Sequence, residues 1–240
     1  ITLTNQQLNL NNNSNITASS TGTGNAGSIT LPNTLNLTLL NQSEISVSTS
    51  KKGDAGSIIV PTAQTINLNQ SRITASTSGE GNTGVIALTG TEKIELNDSE
   101  ISNAVEKGVG NAREITLNTP QLSLQNSSIT SSTAGTGNAG SINVPNSQTI
   151  SLNNSTISTE IQPSGIATEP SNINLTSNTL NLNNNSKVTA STAGIGDAGD
   201  ITLTNQQLNL NNNSNITAST AGVGDAGDIT LTNQQLNLNN

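Results

Sequence analysis

The chain has 240 residues and no Cys, Met, His, Trp, Tyr or Phe, and its hydrophobic 30% consists of Ala, Val, Ile and Leu. Without aromatics, the largest apolar contributors to a core, a thick globular interior is excluded, and any core must be thin, aliphatic and extended. A net charge of -8 with only seven Lys and Arg argues against capture of nucleic acid or an anionic membrane surface, and no apolar run approaches the ~20 residues of a membrane helix.

The first element, Ile1-Thr2-Leu3, opens a twelve-residue phrase, ITLTNQQLNLNN, that returns at 201 and again at 229. Aligning on the I-x-[LV] triplet places unit starts at Ile1, Ile29, Ile58, Ile86, Ile115, Ile142, Ile173, Ile201 and Ile229. The intervals are 28, 29, 28, 29, 27, 31, 28 and 28 residues. A period of this size marks a solenoid. Eight full units and the start of a ninth fill the chain as a single segment, 1–240. It opens in mid-repeat, with no signal peptide and no caps, and is expected to be an excerpt of a longer protein.

Each unit carries three alternating aliphatic–polar patterns, the mark of strands with one buried face. In the third unit these are Ile58/Val60, Ile66/Leu68 and Ile73/Ala75; in the eighth, Ile201/Leu203, Leu208/Leu210 and Ile216/Ala218. Pro32, Pro61 and Pro145 stand three residues after a unit start, where loss of an amide is expected to close the first strand. The second strand runs into an Asn-rich corner ending in Ser, as in Asn11-Asn12-Asn13-Ser14. The third leads to a glycine loop such as Gly222-Val223-Gly224-Asp225-Ala226-Gly227. Asn and Gly tolerate the left-handed backbone a sharp corner needs.

Three strands and three corners in about 28 residues describe one turn of a parallel β-helix. Hexapeptide periodicity, the sign of the left-handed form, is missing, so a right-handed parallel β-helix is expected. Coils stacked at ~4.8 Å give a rod of roughly 38 Å. One coil has too few aliphatics to fold alone, so repetition is a condition of stability. The residue before the corner serine is Asn13, Gln42, Gln70, Asp98, Asn126, Asn154, Asn185 and Asn213 in successive units, a column that could form an amide ladder.

Two units depart from the pattern. The fourth holds nine of the 22 charged residues within 92–114 and places Asn103 where an inward aliphatic is expected, reading either as a weak point or as a partner patch. The sixth has a long third corner from Glu160 to Pro170, expected to bulge outward.

The phrase GNAGSIT at 24–30, followed by L-x-L and N-S-x-I-T-x-S, resembles repeats of large cyanobacterial exoproteins. These are similar to filamentous haemagglutinin and are exported by two-partner secretion. The resemblance covers all 240 residues, with motifs on which other parallel β-helices also converge. It implies a right-handed β-helix, passage through an outer-membrane transporter, and a place at the cell surface or outside a Gram-negative-type bacterium, in adhesion or fibre formation. The secretion domain of that family is not among these residues.

Catalytic material is sparse. There is no His or Cys for a triad or thiol site, and Glu95, Asp98 and Glu100 are the nearest approach to a carboxylate cluster, with a solvated face as the simpler reading; no enzyme and no cofactor are expected. Asp197, Asp200, Asp225 and Asp228 flank Ala-Gly in the last glycine loops and are the metal candidates, for calcium. Their equivalents Asn25, Ser28, Asn138 and Ser141 favour turn caps instead. The outward residues of the third strand form hydroxyl columns, one running through Thr17, Thr74, Thr130, Thr189 and Thr217, the possible face for ice or glycan. The expected partners are further copies of the chain, stacked end to end or in a fibre, with glycans or cell surfaces as others; nucleic acid and membrane insertion are not expected. The leading expectation is a structural segment of an extracellular adhesin or surface fibre, acting as rigid spacer or filament subunit.

Overall fold

The computed structural model describes residues 1–239, and among them there are strands and no helix. The chain winds as a parallel β-solenoid whose coils begin at the nine unit starts. Ile58 pairs with Ile29 below and Ile86 above, and the series continues through Ile115, Ile142, Ile173, Ile201 and Ile229. At the first coil Thr2 bridges Thr30. Like residues therefore lie over like residues from one end to the other. We number the coils 1 to 9 from these starts.

Two sheets run the length of the solenoid, one of eleven strands and one of eight. The long sheet carries the first two alternating patterns of each unit. In coils 3, 4, 6, 7, 8 and 9 these patterns run together as one strand, Ile58–Asn69, Ile86–Asn97, Ile142–Asn153, Ile173–Asn183, Ile201–Asn211 and Ile229–Asn239. The short sheet takes the third pattern, from Asn15–Ser20 in coil 1 to Asn215–Thr220 in coil 8. Prolines correct one expectation. Pro61 and Pro145 do not close the first strand but lie within Ile58–Asn69 and Ile142–Asn153. The ladder shifts register between Val60 and Ala63 and between Val144 and Ser147, so the missing amide falls where pairing is already interrupted.

The core is a stack of aliphatic layers. In coil 3, Ile58, Val60, Ile66, Leu68, Ile73 and Ala75 are all at most 1% exposed. The third strand adds an inward hydroxyl at its end: Thr49 and Thr77 are buried and bonded to each other at 3.0 Å. Alternation places the remaining side chains outward, and they form straight columns down each face.

The long third corner of coil 6 bulges only locally. Pro163, Ser164, Thr168, Glu169 and Pro170 are exposed, but a turn from Gln162 to Gly165 (2.8 Å) returns the chain to the ladder at Ile166.

Candidate functional site

The two corners that bound the short sheet are built by opposite means. Before it, the residue preceding serine has positive φ in all eight coils: Asn13, Gln42, Gln70, Asp98, Asn126, Asn154, Asn185 and Asn213 lie between 48° and 65°. Asn and Asp visit this left-handed conformation more readily than other side chains, and Gln42 and Gln70 share it here. A side-chain bond joins Asn154 to Asn126 in this column at 2.9 Å. The longer amide ladders stand on the outer face of the long sheet, as Asn181–Asn209–Asn237 (2.7 and 2.6 Å) and Asn183–Asn211–Asn239 (2.8 and 3.0 Å).

The serine that follows ties the coils together. Ser99 Oγ accepts the Ser71 amide at 3.1 Å and donates to the Asn97 carbonyl at 2.7 Å. The same double bond recurs at Ser71, Ser127, Ser155, Ser186 and Ser214. A buried amide that finds no strand partner at the corner is satisfied by a hydroxyl from the next coil.

After the short sheet, the glycine loop works by removal of side chains. A Cβ on Gly81, whose φ is +146°, would meet the Gly53 carbonyl oxygen at 2.1 Å. The loop therefore stacks backbone on backbone, and a third ladder of single bridges runs up its apex through Thr23, Lys52, Glu80, Val109, Thr136, Ile166, Ile195 and Val223.

The four aspartates fall on this loop. Asp197 Oδ1 accepts the Asp225 amide and Asp200 Oδ1 accepts the Asp228 amide, both at 2.8 Å. The same bonds are made in lower coils by Asn25 to the Asp54 amide and by Ser28 to the Ser57 amide, at 2.9 and 3.0 Å. These side chains are inter-coil acceptors, for which Asn, Ser and Asp serve alike. Among the described residues no three acidic groups gather in a geometry that could hold a metal ion.

Thr17, Thr74, Thr130, Thr189 and Thr217 are brought together with Ser46, Ser102 and Ser158 in one unbroken column of the short sheet. The face is not a bare hydroxyl array. Thr74 donates to Glu44 at 3.1 Å, and Thr17 and Ser46 bond each other at 3.1 Å. The flanking column is Asn15, Glu44, Arg72, Glu100, Ser128, Thr156, Lys187 and Asn215, with Arg72 paired to Glu44 at 3.2 Å. A cleft of about 500 Å³ runs between this column and the left-handed corner, lined by Gln42, Gln70, Asp98, Asn126, Arg72 and Glu100 among others. Asp98 and Glu100 share that cleft. Glu95 stands apart on the long sheet, paired with Lys93 at 2.7 Å, so the three carboxylates do not form one site.

The charges of coil 4 spread around its whole perimeter, from Glu92, Lys93 and Glu95 on the long sheet to Glu106, Lys107, Arg113 and Glu114 on the glycine side. They make no single patch. Asn103 is fully buried, and its Nδ2 donates to the carbonyls of Gly84 (2.8 Å) and Arg113 (2.9 Å), while Oδ1 has no partner. Directly above, Ser131 accepts the Gly140 amide at 2.7 Å and Thr159 donates to the Ser171 carbonyl at 2.8 Å. Three successive coils thus staple the third strand to the glycine loop through polar side chains at a position that is Ala or Val elsewhere.

A scan against protein-family models, a search of curated proteins and a search of solved structures each return no match.

Proposed function

We propose that this chain is a structural segment of an extracellular adhesin or surface fibre, a stiff rod that acts as spacer or filament subunit. The observation that carries the reading is that both sheets pair in parallel from coil to coil along the stack, with register shifts confined to the long sheet near Ala63 and Ser147. Hydrogen bonds that run along the axis, together with a continuous aliphatic stack, give stiffness in the direction a spacer needs. The sequence resemblance to two-partner-secretion exoproteins supports the extracellular setting and export through an outer-membrane transporter.

Two experiments test it. Immunogold labelling of intact cells should place the chain at the outer surface, and a signal that appears only after lysis overturns the extracellular reading. A binding domain displayed on one or two tandem copies should gain roughly 38 Å of reach from the second copy, by the coil spacing; unchanged reach overturns the spacer.

A second reading rests on the Thr column, whose even spacing would suit ice or a glycan. It predicts thermal hysteresis or retention on immobilised glycans that is lost in a Thr130→Asp variant. Inactivity in both assays removes it.

A further inference from the structure

The last coils are near copies of one another. Residues 183–210 and 211–238 differ only at Lys187/Asn215, Val188/Ile216 and Ile195/Val223, so 25 of 28 positions match. The differences fall where the stack makes little demand. Lys187 and Asn215 are exposed, Ile195 and Val223 stand at the apex of the glycine loop at 49% and 68% exposure, and Val188 and Ile216 are both β-branched aliphatics facing inward. Contacts repeat as closely as the letters. Ile201–Asn211 pairs with Ile229–Asn239 as it does with Ile173–Asn183, without a register shift at either level. The ladders Asn181–Asn209–Asn237 and Asn183–Asn211–Asn239 cross both levels. Coil 4 is of the opposite kind. Asn103 bonds the carbonyls of Gly84 and Arg113, and the Arg113 amide donates at 2.9 Å to the Thr83 hydroxyl of the coil below. Coil 4 itself has Ala112 in the place of Thr83.

We propose that the unit shared by coils 7 to 9 is a length-setting cassette, 28 residues that the rod can gain or lose whole, each changing its length by one coil spacing. A second copy of 201–228 placed ahead of Ile201 creates one new interface, the unit stacked on itself. Its ladder contacts already exist in the molecule. Residues 201–211 stacked on themselves reproduce their pairing with 229–239, which has the same sequence. Residues 212–228 stacked on themselves reproduce their stacking on 184–200, apart from the three substitutions above. The chain leaves the inserted coil at the corner where it entered, so the coils on either side keep their neighbours and their interface energies. A copy of 86–114 has no such property. It sets a second Asn103 over the first in the core, and it puts Ala112 beneath the new Arg113 amide, where the hydroxyl of Thr83 had been. The use of the cassette, adjustment of reach, rests on the spacer reading; the interchangeability of its coils does not.

A distance measured within the whole chain tests this. With nitroxides on Thr17→Cys and on Thr217→Cys of the last copy, one inserted copy of 201–228 should lengthen the dipolar distance by ~4.8 Å and two copies by about twice that. Each should give a single narrow peak, with a urea midpoint at or above that of the parent. An inserted copy of 86–114 should lower the midpoint. A distance that stays at the parent value, with the copy extruded as a loop, overturns the proposal. So does a midpoint that falls with each copy of 201–228. A copy of 86–114 tolerated equally well overturns the assignment of the cassette to coils 7 to 9. A displayed domain whose reach fails to follow the measured distance overturns the spacer reading and leaves the cassette standing.

Discussion

The left-handed corner and the glycine corner bound the same sheet and constrain the chain in opposite ways. At the first, a left-handed residue precedes a serine, and from Ser71 onward the serine hydroxyl bonds both its own coil and the preceding one. At the second, side chains are removed so that carbonyls and amides of adjacent loops touch. The serine column is uniform, Ser14 to Ser214 in coils 1 to 8, whereas the apex of the glycine loop runs through Thr, Lys, Glu, Val and Ile. A corner held by side chains spends its sequence on folding. A corner held by backbone leaves its outward residue free, and that is where differences between coils collect.

Substitutions sharpen this contrast. The largest effect is expected at Gly81→Ala, where the new methyl group meets a carbonyl oxygen and the backbone is left-handed. Strain and overpacking together should cost about 2–4 kcal/mol, read as a lowered urea midpoint. Ser99→Ala is expected to cost about 1–3 kcal/mol, since it strands the buried Ser71 amide and removes a bond to Asn97. Ser99→Thr, which keeps the hydroxyl, should recover part of it. At the left-handed position, Asn126→Ala should cost about 1–2 kcal/mol and Asn126→Gly far less, and an equal cost for both would show that the side chain, not the backbone, governs that corner. The smallest effect belongs to the apex. Lys52→Ala breaks a 3.6 Å pair with Glu80 whose side chains are 75% and 68% exposed, and its stability change should stay within about 0.5 kcal/mol. A large loss there would mean that the glycine corner depends on its side chains after all.

Much of the fold was legible because its period is written directly in the I-x-[LV] triplets, and alternation told which residues face inward. The left-handed column was legible too, through its run of Asn, Gln and Asp, although its predicted side-chain ladder proved to lie mainly on the neighbouring sheet. The role of serine was missed, since a hydroxyl that serves two coils is visible only when residues 28 apart are in contact. Its invariance from unit to unit was the available signal. Asn103 looked like a defect because sequence reasoning compared it with Ala75, one coil below, without the Gly84 and Arg113 carbonyls that it bonds. The apex column escaped notice because its members, Thr, Lys, Glu, Val and Ile, share no motif. They are related only by stacking.

The central claim is that every coil lies in register over the last, so that residues 200 positions apart occupy one straight column. Thr17 and Thr217 close that column at its two ends, seven coil spacings apart. Spin labels on Thr17→Cys and Thr217→Cys in one chain should give a single narrow dipolar distance near 34 Å, about seven times the inter-strand spacing. A broad distribution, or a sharp peak displaced by one spacing or more, contradicts it.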